Sequence, residues 1–237
     1  MAEQLLTDCQ GLGLPAPWHI NGDTAPNGKA IVTIGGSSSV RQYGIQEPAR
    51  LSGFSHIVTN SSPAHVEHLK ELGAHVLLER ATQSTSEQFP QALDGLPLPL
   101  AIDAIVHKST LWLGIKILQL AKTPVATLVI STAGKEDLVA VIEGKSSALD
   151  AEITELAHSG HVVELKGIVG IGSSLSLRHL SDSMARTLGG EDGWIAKGLF
   201  VPSRPVVVPG GLSALDDVLE KNKKGVSREK VVIRPFG

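Results

Sequence analysis

A single cysteine, Cys9, stands in a chain of 237 residues. That scarcity excludes an internal disulfide and any zinc site built from several cysteines. No apolar run approaches the roughly 20 residues that a membrane-spanning helix needs. The first residues, Met1-Ala2-Glu3-Gln4, lack the basic stretch and apolar core of a secretory signal. Charge of one sign is also missing. A formal net charge of -3 predicts no nucleic-acid partner and no attraction to an anionic membrane surface. Neither an internal repeat nor a low-complexity tract is present. Together these absences make a soluble, cytoplasmic protein the expectation.

What is there has the balance of a globular α/β protein: 42% hydrophobic residues, 19% charged residues and a mean hydropathy of +0.11. Disorder would need less hydrophobicity and more net charge. Residues 1–28 read as a short N-terminal helix and a connector rich in turn formers. Ala30-Ile31-Val32-Thr33-Ile34 is a continuous β-branched run, the pattern of a strand buried on both faces. Further strands are predicted at His56–Thr59, His75–Leu78, Leu100–Ile105, Ala126–Ile130 and His161–Leu165. Helical stripes separate them, with Val66, Leu69 and Leu72 before a Gly73 C-cap, and Leu111, Ile115 and Leu118 in a later helix. This alternation predicts βαβ units and a Rossmann-like, doubly wound parallel sheet over residues 29–200. Residues 201–237 read as a C-terminal helix-strand extension. It holds strands at Pro205–Val208 and Lys230–Arg234, and a helix capped by Ser213 that carries Leu215, Val218 and Leu219. Before it, Leu177, Leu180, Met184 and Leu188 form one more helical stripe.

The stretch most informative for function is Gly35-Gly36-Ser37-Ser38-Ser39-Val40-Arg41. It lies at the first strand-to-helix junction, where a dinucleotide fold seats its pyrophosphate. Glycine there allows a tight turn and close backbone approach, and the N–H groups of a helix start attract phosphate. NAD-binding folds place an acid about 20 residues further on, at the end of the second strand. Here that place holds Thr59-Asn60-Ser61-Ser62, with no carboxylate to repel a 2′-phosphate, so the expected cofactor is NADPH. Gly35 to Arg41 are the candidate pyrophosphate residues, and Ser61 and Ser62 the candidates for the adenosine end.

With Gln42-Tyr43-Gly44-Ile45-Gln46 following it, this loop resembles that of the zinc-independent medium-chain dehydrogenase/reductases. The closest likeness is to fungal enoyl reductases that act in trans with polyketide synthases. Leu69-Lys70-Glu71-Leu72-Gly73-Ala74, Ala101-Ile102-Asp103-Ala104-Ile105 and the tail Val208-Pro209-Gly210-Gly211-Leu212 resemble the same family, so the likeness spans nearly the whole chain. It implies hydride transfer from NADPH to an activated double bond, with no metal. It also implies that the chain starts near the point where the family's catalytic domain ends, so the substrate and the catalytic residues stay unassigned. Apolar faces of the C-terminal segment would then need another cover, from self-association or a protein partner. A non-redox protein that keeps the fold but not the reaction, as a binding module or partner subunit, is the alternative.

Four residues depart from the family pattern. Arg41 replaces a glycine, and its side chain is expected to bend outward, where it binds or obstructs a phosphate. Pro48 should kink or end the first helix. Ala64 stands where many relatives carry a lysine, and Glu79 where a tyrosine often covers the adenine. Other chemistry fails on inspection. Tyr43 is followed four residues later by Glu47, not the lysine of a short-chain reductase. Val139 breaks the P-loop pattern ahead of Gly144-Lys145-Ser146, and no Gly-x-Ser-x-Gly elbow exists. His65 and His68 read as a solvated helix face, and Asp103 as a strand-end hydrogen bonder. His107 and Lys108 are loop residues at a ligand-binding edge. Trp18, Trp112 and Trp194 read as core or interface residues. Lys221-Asn222-Lys223-Lys224 reads as a basic helix end.

Overall fold

The computed structural model describes residues 27–46, 52–131, 151–168, 175, 178–226 and 229–236. The expected N-terminal helix, Cys9, Trp18, Pro48, Gly144-Lys145-Ser146 and Leu177 lie outside the described residues. The elements run β1 (Ala30–Ile34), α1 (Ser39–Gly44), β2 (His56–Ser61), α2 (Val66–Glu71), β3 (Val76–Glu79), α3 (Gln88–Gln91) and β4 (Leu100–Asp103). They continue as α4 (Lys108–Ala121), β5 (Thr127–Ser131), α5 (Ala151–His158), β6 (Glu164–Ile168), α6 (Arg178–Leu188), β7 (Arg204–Val208), α7 (Leu215–Lys223) and β8 (Glu229–Ile233).

The first six strands form one parallel sheet in the order β3-β2-β1-β4-β5-β6. Successive side chains on a strand point to opposite faces, and β1 shows what that achieves. Ala30, Val32 and Ile34 enter one core cluster and Ile31 enters the other. The first cluster is covered by Phe89 of α3, Leu111, Ile115 and Leu118 of α4, and Ile153 and Ala157 of α5. The second is covered by Ile45, just past α1, and by Leu69 and Leu72 at α2. Two apolar faces with helices on both make the sheet Rossmann-like and doubly wound. Gly114 brings α4 close to the sheet: a Cβ there would sit 2.7 Å from Leu128 and 3.1 Å from Ile34.

Several strands differ from their expected limits: β2 runs two residues further, to Ser61, and β4 and β6 depart for identifiable physical reasons. β4 stops at Asp103 because the Asp103 carboxylate accepts the N–H groups of Ile105 and Val106, turning the chain out of the sheet. β6 starts three residues later than expected, at Glu164. The apolar His161-Val162-Val163 is the approach to the strand, with Val162 57% exposed and His161 Nε2 bonded to the Thr123 carbonyl. An edge strand is only half covered, so its residues alternate, and the continuous run is a misleading guide there.

The C-terminal extension is a β7-α7-β8 unit whose two strands pair in parallel as a separate sheet. Ser213 does not cap α7. It sits in the preceding 3-10 turn (Gly211–Ala214), and its hydroxyl donates to the Gly210 carbonyl, which keeps it off the helix N–H groups. The chain entering this unit is tied to the end of α1 by Gln46, whose amide accepts from Val201 N–H (2.7 Å) and donates to the Val201 carbonyl (3.1 Å). Tyr43 adds a stacked contact with Phe200 and accepts the Ser203 N–H. Among the described residues no helix is long and apolar enough to cross a membrane.

Candidate functional site

β1 delivers the chain into the Gly35–Ser38 turn at the carboxyl edge of the sheet, where β1 and β4 diverge. Open α/β sheets bind ligands at such a switch point. Gly35 has φ +75, a left-handed conformation that glycine adopts without strain. Its N–H donates to Asn60 Oδ1 (2.5 Å), and the Gly36 N–H donates to the Asn60 carbonyl (2.9 Å). Asn60 is buried at the end of β2, and its Nδ2 donates to Ser84 Oγ. One asparagine therefore takes up the first two N–H groups of the turn. Gly36 serves close packing: a Cβ would lie 2.6 Å from Thr59 Oγ1, which is itself committed to the Thr33 carbonyl.

Arg41 does the opposite of what the sequence suggests. Its side chain turns inward and is 3% exposed. Nη1 donates to the Gly35 carbonyl (2.8 Å) and Ser38 Oγ (3.0 Å), and Nη2 stands 3.6 Å from Asp103 Oδ1. The inward path wins because it offers acceptors and a carboxylate to a group too hydrated to bury alone. Desolvation still lowers its pKa to about 10, with Asp103 opposing the shift and Arg80 adding to it. The guanidinium stays charged at neutral pH. Nε and Nη2 have no hydrogen-bond partner among the described residues.

Asp103 is fully buried. Oδ1 accepts from Ile105 N–H (2.8 Å) and Oδ2 from Thr110 Oγ1 (2.6 Å). It is the strand-end hydrogen bonder expected from its position, and it also balances Arg41. His107 caps α4 by accepting the Ser109 N–H, and Lys108 pairs with Glu152 of α5 at 2.6 Å. Both hold elements together.

Beside the turn lies a cleft of about 530 Å³. Its wall includes Gly35, Asn60, Arg80, Ser84, Thr85 and Ile105, together with Thr110 and Trp112 of α4. Glu79, expected to face a nucleotide, is held by its own loop: Thr82 Oγ1 donates to its carboxylate at 2.7 Å. Of the sequence candidates, the cleft gathers Gly35 alone. Ser61 is buried with no hydrogen-bond partner for its hydroxyl among the described residues, and Ser62 leads into the 3-10 turn at Pro63–His65. Ser37, Ser38 and Ser39 line a second cleft of about 430 Å³, facing Val218, Leu219 and Asn222 of α7 and Lys230 of β8. Val40 is 58% exposed.

Sequence reasoning missed Asn60, Arg80, Ser84 and Thr85. Arg80 carried a usable signal, a cation two residues past the predicted strand His75–Leu78. Asn60 becomes visible only once β1 and β2 are paired, and Ser84 and Thr85 only once β3 joins β2. His65 and His68 are not a solvated face: His68 Nε2 lies 3.2 Å from Gln42 Oε1, and Gln42 donates to the Ser37 carbonyl. Among the described residues no group of three His, Cys, Asp or Glu side chains could hold a metal. Trp112 is not a core residue, being 44% exposed with the Lys116 ammonium 5.7 Å from its ring centre.

A dinucleotide fits this site at one end. The cleft is within the roughly 300–1,000 Å³ of small-molecule sites, and Arg80 in its wall suits a phosphorylated ribose, while the Ser84 hydroxyl is already committed to the Glu79 carbonyl. The turn offers less, because the Gly35 and Gly36 N–H groups are already bonded.

No family model matches the chain, and no curated protein matches it. Solved structures do share its fold. The CurK enoyl reductase aligns with a TM-score of 0.60 at 13% identity, covering 88% of this chain and 55% of the other. The quinone oxidoreductase from Coxiella burnetii aligns at 0.59 and 17%, covering 98% and 56%. CurA from Vibrio vulnificus, solved in complex with NADPH, aligns at 0.57 and 12%, covering 89% and 58%. Alcohol dehydrogenases are matched as well. These solved structures are medium-chain dehydrogenases and reductases, and this chain spans a little over half of their length.

Proposed function

We propose that this chain is the nucleotide-binding unit of an NADPH-dependent oxidoreductase of the enoyl or quinone reductase type. The observation that carries it is the cleft at the β1/β4 switch point, whose nucleotide-facing edge has no carboxylate at the end of β2 and a cation, Arg80, at the end of β3. NADPH would supply a hydride to an activated double bond of a small-molecule substrate. The chain's own part is binding: Asn60 fixes the glycine turn, Arg80 attracts the 2′-phosphate, and Thr110 and Trp112 of α4 complete the wall. Leu212, Leu215 and Leu219, exposed on the C-terminal unit, support a partner surface there, for a second copy or another protein.

Titration by nicotinamide fluorescence tests this directly. NADPH should bind more tightly than NADH, and Arg80→Ala should weaken NADPH by about tenfold while leaving NADH unchanged, the roughly 1.4 kcal/mol of one charge-assisted contact. Equal affinities, or no binding, count against the reading. Turnover of an enone or quinone with NADPH tests the reaction. The second reading, a non-redox binding module, is favoured by one observation: Arg41 and Asp103 occupy the ground between β1 and β4 that a dinucleotide crosses.

A further inference from the structure

The Arg41 guanidinium is bonded to the Gly35 carbonyl, directly after β1, and faces Asp103, the last residue of β4. β1 and β4 are neighbours in the sheet, paired from Ile31 with Leu100 to Ile34 with Asp103. The guanidinium therefore bridges the carboxyl ends of the two strands at the switch point itself. A dinucleotide passes from one half of such a fold to the other there, with its pyrophosphate on the glycine turn.

Three features make this an occupied crossing rather than a phosphate-binding one. Arg41 already has the Gly35 carbonyl and Ser38 Oγ as acceptors for Nη1 and the Asp103 carboxylate as its counter-charge, so its cation is balanced without a phosphate. The first two donors of the turn are engaged, the Gly35 and Gly36 N–H groups being bonded to Asn60. α1 is also only six residues long, so few aligned peptide dipoles stand behind the turn. Close packing leaves no slack: even a methyl group on Gly35 would meet Arg41 Nη1 at 2.8 Å and Ile105 Cδ1 at 3.2 Å. On the β2–β3 side the cleft stays open, with Asn60, Arg80, Ser84 and Thr85 in its wall.

We propose that Arg41 is a specificity-determining residue that closes the crossing to a pyrophosphate, so that the cleft holds an adenosine phosphate as tightly as it holds a whole dinucleotide. This rests on the nucleotide reading given above and adds to it which part of the nucleotide is held. The nicotinamide half then gains little from the chain, and affinity resides in the adenosine end.

The test is calorimetric titration of the full chain with adenosine 2′,5′-bisphosphate and with NADPH, for the wild type and for Arg41→Ala. In the wild type the two dissociation constants should agree within about threefold, under 0.7 kcal/mol. In Arg41→Ala, NADPH should tighten by about tenfold and the bisphosphate should not change. A wild type that binds NADPH about tenfold or more above the bisphosphate overturns the proposal and leaves the nucleotide reading standing. Weaker NADPH binding by Arg41→Ala also overturns it, because Arg41 is then a phosphate ligand. Binding of neither compound overturns the nucleotide reading, and this proposal with it. The wild-type comparison stands even if the variant fails to fold.

Discussion

Arg41 and Asp103 face each other at 3.6 Å, each nearly or wholly excluded from solvent, across the carboxyl ends of adjacent strands. Neither charge could be buried alone, since a lone buried ion is costly and its partner is what makes it tolerable. The pair fixes three things together: the glycine turn through Gly35 and Ser38, the end of β4 through Ile105, and the start of α4 through Thr110.

Removing Asp103 should therefore be severe. Asp103→Ala leaves the Arg41 cation uncompensated, and breaking such a pair costs about 3–5 kcal/mol. Asp103→Asn should lose less, since it keeps an acceptor for the Ile105 N–H. Urea unfolding of the three proteins measures both, and a loss under about 1 kcal/mol in the alanine variant would show that the pair is not holding the edge.

Gly36 and Gly44 should respond oppositely to alanine. At Gly36 the new Cβ would meet Thr59 Oγ1 at 2.6 Å and Leu69 at 3.2 Å, so overpacking should cost about 1–3 kcal/mol. At Gly44, in α1, nothing lies within 4 Å, and alanine should stabilise by about 0.5–1 kcal/mol through the unfolded chain. Thermal unfolding should move in opposite directions for the two.

Gln46→Ala strips both backbone bonds from Val201 and leaves a part-buried N–H and carbonyl to find water. A loss of about 1–3 kcal/mol is expected. Amide exchange should show it first at Val201 and Ser203, ahead of the parallel sheet. Uniform exchange would mean that the entry to the C-terminal unit is held by something else.

His75 sets a pH dependence. Its Nδ1 accepts the Ile57 N–H at 3.1 Å, and its ring stacks on His56 with centres 5.4 Å apart. Desolvation first, and then His56, hold its pKa below the ordinary histidine value. The unfolded chain therefore takes up a proton at a pH where the folded chain does not. This contribution to stability is full above the ordinary value and is lost as pH falls through it. The midpoint of thermal unfolding should drop between about pH 7 and pH 5. His75→Gln should flatten that slope, and an unchanged slope would assign it elsewhere.

The sheet was legible in the sequence because burial on both faces leaves a local mark. Ala30–Ile34 reads as a continuous apolar run and Leu100–Ile105 as a strand, and the helical stripe of Leu111, Ile115 and Leu118 faces the core it was expected to face. Where burial is one-sided the mark fades, and β6 was misplaced by three residues. The glycine turn was legible too, since its place at the first strand-to-helix junction follows from chain order alone.

What chain order does not contain is who meets whom across the sheet. The sequence by itself determined a doubly wound α/β unit with a glycine turn at its first junction and no acid after its second strand. Only the tertiary structure decided that Arg41 points inward, because its partners come from the turn after β1 and from the end of β4, where Asp103 lies 62 residues away in the chain. It likewise decided that Asn60 and Arg80, and not Ser61, border the cleft, since which residue ends a strand facing the ligand depends on pairing register. Electrostatic and packing complementarity between distant segments is a property of the assembled sheet, and no local pattern encodes it.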